Sequence, residues 1–191
     1  MPNHIINKWK ISNIPQDKLQ YILDKLTMIT KKGDRIIDFD LIIPEPRYKK
    51  DCPKDCIVNK DSHIMEDKNK PWFNWYVWRK KYWNTKWGAY DGYTYIGKTY
   101  IIMYFQTAWS FAGPVARKLA ELGYDLNLQW ADEDWGANCG RLQYNAETKE
   151  WIHWSIDELK PNPTVWAKNL WKKSERNEEK WTGSHHPEYR V

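Results

Sequence analysis

Residues 93–130 read YTYIGKTYIIMYFQTAWSFAGPVARKLAELGYDLNLQW, and this stretch decides the fold. Rings and β-branched residues fill 93–96 and 98–105 on either side of Gly97, which predicts two strands across a turn. The run from Tyr100 to Phe105 is nearly continuous in apolar character, as expected of a central strand. Gly113-Pro114 then opens a short helix, with proline in its first turn and Gly123 at its end. Tyr124, Leu126, Leu128 and Trp130 alternate with polar residues, the signature of a half-buried strand.

Working outward toward the N-terminus, His4–Ser12 reads as a strand, with Ile5, Trp9 and Ile11 on one face and Lys8 and Lys10 on the other. Pro15 opens a helix in which Leu19, Ile22, Leu23, Leu26 and Ile29 form one stripe. Lys31, Lys32 and Gly33 suit its C-terminus, where cations meet the last carbonyls. In IIDFDLIIPEPRY, Pro44 and Pro46 predict an extended, rigid end. Residues 49–70 are charged and irregular, as a surface insertion would be. An aromatic helix is expected over about 72–84. Toward the C-terminus, 141–145 and 150–156 read as a hairpin, 163–180 as a helix, and SHHPEYRV as a loose end.

The order strand, helix, insertion, strand, strand, helix, strand predicts an α+β fold. It is a split βαβ, or ferredoxin-like, core: an antiparallel sheet with helices on one face. The inserted aromatic helix and a C-terminal hairpin plus helix extend it. The expected division is a ferredoxin-like domain over 1–156 and a helical extension with a tail over 157–191.

Five ordered segments carry a family likeness: MPNHIIN, IDFDLIIPEP, WYVW with WNTKWGAYD, FQTAWS followed by Pro114, and WADEDWGANCG. Together they resemble the YubB-type ferredoxin-like-domain family of bacteriophages and conjugative plasmids. The resemblance spans most of residues 1–145 and implies a ferredoxin-like fold and a mobile-element origin. It implies no settled activity and carries over no catalytic residue. The chain departs from the pattern in the 52–70 insertion and in the Trp-rich segment after Trp151.

Hydrophobic residues make up 41 % of 191, enough for a globular core. No apolar run reaches about 18 residues, so no membrane span is expected. MPNHIINKWK has neither an apolar leader core nor a cleavage site, so no secretory signal is expected. Three sparse cysteines, Cys52, Cys56 and Cys139, do not make a disulfide framework and fit a reducing cytoplasm. The net charge of +5 leans toward an anionic partner, although a solvated basic surface explains it equally. No P-loop, GxGxxG, GxSxG or HExxH is present, and no cofactor is expected.

Residues 72–91, WFNWYVWRKKYWNTKWGAYD, hold five of the 14 tryptophans. On a helix, Trp72, Trp75, Tyr76, Trp78, Tyr82 and Trp83 fall within an arc of roughly 160°. Arg79 lies inside that arc, placed to stack on the rings or to meet a buried acid. The rings are either interior, covering the sheet, or a stacking surface for bases, nucleotides or a partner's side chains. Thr85 and Lys86 follow them and suit a phosphate. Thr107, Trp109 and Ser110 end the central strand, where ligands collect or where hydroxyls close the turn.

Asp132, Glu133 and Asp134, with Gly136 and Asn138, suggest either a solvated acidic loop or an oxygen-rich site balanced by a metal, Arg79 or Lys86. Its spacing is not that of an EF-hand, and no metal site is expected there. Cys139 lies beside acids, which makes it a poor nucleophile. Cys52-x3-Cys56 with His63 has the spacing of half a zinc site but lacks a second ligand pair, so no structural zinc is expected. His4 has no identified partner for acid–base work.

These observations leave three readings of function. The first is a mobile-element accessory protein that binds a host factor or a small signalling molecule without catalysis, blunting host defence. The second is single-stranded nucleic-acid or nucleotide binding through an aromatic and basic surface, since the split βαβ order is also that of the RNA-recognition motif; an RNP1-like run is missing. The third is a small enzyme using His4 with an acid of 132–134. The expected binding surface unites Trp75, Trp78, Arg79, Trp83, Thr85, Lys86, Trp87, Thr107, Trp109, Ser110, Glu133, Asp134 and Asn138. No catalytic residue is assigned, and the oligomeric state stays open.

Overall fold

β1 (His4–Ser12) runs through the middle of the sheet because both of its sides carry apolar residues. Ile5, Trp9 and Ile11 are fully buried on one side, and Ile6 is buried on the other. The computed structural model describes residues 3–46, 57–58, 72–73 and 75–174.

Five further strands complete the sheet: β6 (Tyr90–Ile96), β7 (Ile101–Ala108), β8 (Asp125–Asp132), β9 (Cys139–Asn145) and β10 (Glu150–Trp154). Their order is β10-β9-β8-β1-β7-β6, and every neighbouring pair is antiparallel. α1 (Leu19–Leu26) follows β1, and α4 (Gly113–Ala120) connects β7 to β8. The inner strands β8-β1-β7-β6 with these two helices are the ferredoxin-like core, and β9 and β10 widen it beyond β8.

The core lies between the sheet and the two helices. Leu19, Ile22, Leu23 and Leu26 of α1, with Val115, Ala116 and Leu119 of α4, pack against Trp9, Met103, Phe105 and Leu128. Burying each large aliphatic or aromatic side chain contributes about 1.5–3 kcal/mol. β7 is central as expected, yet Ile101, Met103 and Phe105 are buried while Ile102, Tyr104 and Gln106 are only half-buried. Its continuous apolar run thus marks one fully covered face and one partly covered face.

Several sequence expectations are corrected. α1 stops at Leu26 instead of continuing to Ile29. β2 (Thr27–Ile29) then pairs with β3 (Arg35–Ile37), and Gly33 takes φ +85° in the turn between them. Ile29 fitted the helical stripe by its i+3 spacing from Leu26 alone; in β2 it leaves the helix face and is 54 % exposed. A short helix not foreseen in the sequence precedes Pro44: α2 (Phe39–Ile42), capped by the Asp38 carboxylate, which accepts from the Asp40 N–H. The aromatic helix is α3 (Trp75–Tyr82); Trp72 lies before it in β5 (Trp72–Phe73), which pairs with β4 (Ile57–Val58).

Helices also occupy both faces of the sheet. α5 (Pro163–Ser174) crosses the second face, where Ala167 and Leu170 pack on Ile6, Ala131 and Cys139. It covers only the end of the sheet carrying those three residues. The expected insertion at 49–70, apart from 57–58, the Cys52–Cys56–His63 set, the continuation of α5 to 180 and the C-terminal tail lie outside the described residues. Among those that are described, no helix is long and apolar enough to cross a membrane.

Candidate functional site

β7 ends at Ala108, and Trp109 follows with φ +72°, the left-handed region that a bulky residue rarely adopts. Three hydrogen bonds hold this turn. The Trp109 N–H donates to the Asn3 carbonyl at 2.8 Å. Asn138 Nδ2 donates to the Trp109 carbonyl at 3.2 Å, and the buried Thr107 hydroxyl donates to the Ser110 carbonyl at 2.8 Å. The backbone cost of such a conformation is of order 1–3 kcal/mol. The effect is to turn the indole out of the sheet into half-exposed space.

Two lysines gather over that indole. Lys80 Nζ stands 5.5 Å from the Trp109 ring centre and Lys86 Nζ 5.0 Å. Lys86 Nζ is also 4.9 Å from the Trp87 ring, so this ammonium lies between two indoles. Tyr76 meets Trp109 edge-on at 6.2 Å. The ring quadrupoles attract the ammonium groups, by about 0.5–1 kcal/mol at such exposure.

Acids and a histidine occupy the neighbouring side. Trp87 meets Tyr90 edge-on at 6.1 Å, and the Tyr90 hydroxyl is hydrogen-bonded to His4 Nδ1 at 2.7 Å. The Tyr90 phenol is pushed up to about 12 by burial and by the charges of Asp91 and Glu133. It stays protonated at neutral pH and is unsuited to act as a base. The His4 N–H donates to Glu133 Oε1 at 3.0 Å, and Asn3 Nδ2 to Asp134 Oδ2 at 3.1 Å.

The three successive acids do not converge. Asp132 is buried and accepts from the Gly136 N–H at 3.2 Å and the Asn138 N–H at 3.0 Å. Glu133 and Asp134 are exposed and take their donors from the start of β1. Consecutive residues at a strand end leave in different directions, and N–H groups compensate the charges where a cation was expected to do so. Arg79 is not that cation, because it is committed to Glu45. The Cys139 thiol is buried and is pushed up to about 11 by burial and by Asp132, so it stays protonated.

The segments 75–87, 107–110 and 132–138 therefore do meet, around Trp109. Trp75, Lys86, Trp87, Trp109, Ser110, Glu133, Asp134 and Asn138 are at least partly exposed there. Trp78 and Trp83 are corrected to the interior: each is 3 % exposed, and Trp83 packs on Phe39 while its Nε1 donates to the Ile43 carbonyl. Thr85 and Thr107 are also interior; the Thr85 hydroxyl donates to the Trp87 carbonyl and shapes the turn. The ring cluster is thus part core and part surface, because a helix laid on a sheet buries one side of its aromatic arc. Sequence reasoning missed Asn3, Tyr76, Lys80 and Tyr90. Spacing on α3 places Tyr76 and Lys80 on one face, but only the fold brings Asn3 and Tyr90 to it.

Residues 82–180 match the family model described as the ferredoxin-like domain in Api92-like protein. The matched segment runs from the end of α3 past α5 and leaves β1 and α1 outside it. No curated protein and no solved structure matched the chain.

Proposed function

For a chain that belongs to the family of ferredoxin-like domains in Api92-like proteins, we propose a non-enzymatic binding role, with a small nucleotide-like ligand held around Trp109. One observation carries this reading: Lys86 Nζ lies between the Trp87 and Trp109 rings, at 4.9 and 5.0 Å, with Lys80 beside it. A planar base stacks on an indole, a phosphate meets the two ammonium groups, and Glu133 and Asp134 accept from hydroxyl or amine donors. A single site offering all three suits a compact molecule that is anionic at one end and carries hydrogen-bond donors at the other. The acids would repel the phosphates of a long polyanion laid across the same place.

The five-segment resemblance supports the finer reading. The protein is of the YubB type, comes from a phage or conjugative plasmid, and acts in the cytoplasm of the host bacterium. Its ligand is then a host signalling nucleotide or a host factor presenting one, and sequestering it blunts a defence response. The small-enzyme alternative finds less support, since Asp132 is spent on backbone N–H groups and the His4 ring on Tyr90.

The test is titration of the full chain with nucleoside mono- and diphosphates and cyclic dinucleotides, followed by tryptophan fluorescence and calorimetry. Saturable binding that Lys86→Gln and Trp87→Ala each weaken at least five-fold, with the folded signal intact, is the expected result. Turnover of any of these compounds, or binding that both variants leave unchanged, would contradict it.

A further inference from the structure

The second face of the sheet carries a set of residues that the Trp109 site does not use. Strand register lines them up in rows. One row crosses the sheet as Tyr93, Tyr104, Lys8, Gln129 and Arg141. The next runs as Tyr95, Ile102, Lys10, Asn127 and Gln143. All ten side chains are half-exposed. α5 covers the sheet only beside these rows, over Ile6, Ala131 and Cys139.

The chemistry of the two rows is uniform. Tyr93 and Tyr104 stack at 5.1 Å and 21°, and Tyr95 and Tyr100 at 6.0 Å and 26°. Lys8 Nζ stands 5.5 Å from the Tyr104 ring, Lys10 Nζ 4.9 Å from the Tyr100 ring, and the Arg141 guanidinium 4.3 Å from the Trp154 ring. No acid occurs in either row, and the remaining polar residues are amides. Burial lowers the Lys8 ammonium below the usual lysine range, and Arg141 Nε is buried without a hydrogen-bond partner. Both are cations partly stripped of water, in rows that hold no carboxylate.

We propose that this face binds single-stranded nucleic acid: bases stack on the rings of Tyr104 and Tyr100, and phosphates meet Lys8, Lys10 and Arg141. Tyr104 of β7 and Tyr100, just before that strand, lie four residues apart, about 13 Å of extended chain, so each receives its own base. Ring faces accept every base, and the amide groups of Asn127, Gln129 and Gln143 can meet base edges with either donors or acceptors. A duplex keeps its bases inside and offers these rings nothing to stack on. Positive groups with no acid between them match a polyanion better than they match the mixed charges of a protein surface. None of the ten residues in these rows belongs to the Trp109 site.

The test uses fluorescence anisotropy of labelled 16-nucleotide DNA and RNA of mixed sequence, single-stranded and duplex, over a salt series. Expected are preference for the single strand, roughly five- to hundred-fold weaker binding in Tyr104→Ala, and a lower salt dependence in Lys8→Gln/Lys10→Gln. The double lysine variant should reduce the slope of log K against log salt by about 1.4. Lys86→Gln, on the other site, should leave all of this unchanged. Tyr104→Phe and circular dichroism guard against misfolding: if Tyr104→Ala unfolds, the lysine variant decides. Equal affinity for duplex, a wild-type salt slope in the lysine variant, or no binding at low salt would overturn the proposal. So would polyglutamate binding in place of the oligonucleotide, or a dimer that only the Tyr104 variants dissolve.

Discussion

Arg79 and Glu45 form a two-pronged ion pair, with Arg79 Nη2 donating to Glu45 Oε2 at 2.6 Å and Nε at 3.0 Å. The guanidinium also lies 5.1 Å from the rings of both Trp75 and Trp83. Its side chain is 26 % exposed and that of Glu45 18 %. The pair fastens α3 to the segment after α2, and this contact seats Trp78 and Trp83 in the core.

Breaking that pair should therefore loosen α3. Arg79→Ala and Glu45→Gln should each cost about 1–3 kcal/mol, less than a fully buried pair because water reaches both groups. Urea unfolding of the two single variants and the double variant checks this. A coupling energy near zero would mean the pair holds nothing.

The tryptophans should separate by role. Trp83→Ala should cost about 3–5 kcal/mol of stability, as an interior ring does. Trp87→Ala should cost little stability and instead lose nucleotide affinity. Thermal unfolding and ligand titration on the same two proteins distinguish them; equal destabilisation would erase the division between core and surface.

Trp109 allows a sharper comparison. At φ +72° an alanine is strained and a glycine is not. Trp109→Gly should be more stable than Trp109→Ala by about 1 kcal/mol. Both should lose the lysine-lined ring surface. The reverse order of midpoints in chemical denaturation would contradict the left-handed turn.

Gly140 faces Trp130 across β8 and β9, and a Cβ there would overlap the indole. That ring in turn stacks on Phe111 at 4.2 Å. Gly140→Ala should destabilise the protein by about 1–3 kcal/mol. Combining it with Trp130→Leu should give a smaller loss than the two single losses added, measured by denaturant midpoints.

Tyr90 sets an alkaline limit. Its phenol titrates at about 12 in the fold, above the ordinary 10, so folding favours the protonated form. Its contribution is complete below about pH 10 and is lost as pH rises from 10 toward 12. The melting temperature of the wild type should fall toward that of Tyr90→Phe over this window. A constant difference between the two from pH 9 to 12 would show that Tyr90 does not titrate with folding.

Much of the architecture was legible in the residues themselves. The alternation of Leu126, Leu128 and Trp130, the stripe of Leu19, Ile22, Leu23 and Leu26, and the Gly113-Pro114 helix start each encode local geometry, and local geometry in this order leaves few ways to cover a sheet. The three candidate segments were also legible as ends of core elements, and the sheet brings them to one end, with β1 between β7 and β8. What could not be read was direction. Whether Trp83 or Trp87 points inward depends on where α3 rests, and that is set by Arg79 reaching Glu45, 34 residues away in sequence. The order of Asp132, Glu133 and Asp134 suggested shared charge, but the strand end sends each carboxylate to a different donor. The residues by themselves determined the strand and helix order and the mixture of rings, cations and acids. Only the tertiary structure decided which of those groups face solvent and that, among the described residues, α5 covers just part of the second face. Burial and long-range hydrogen bonds are properties of the packed chain, and no local pattern contains them.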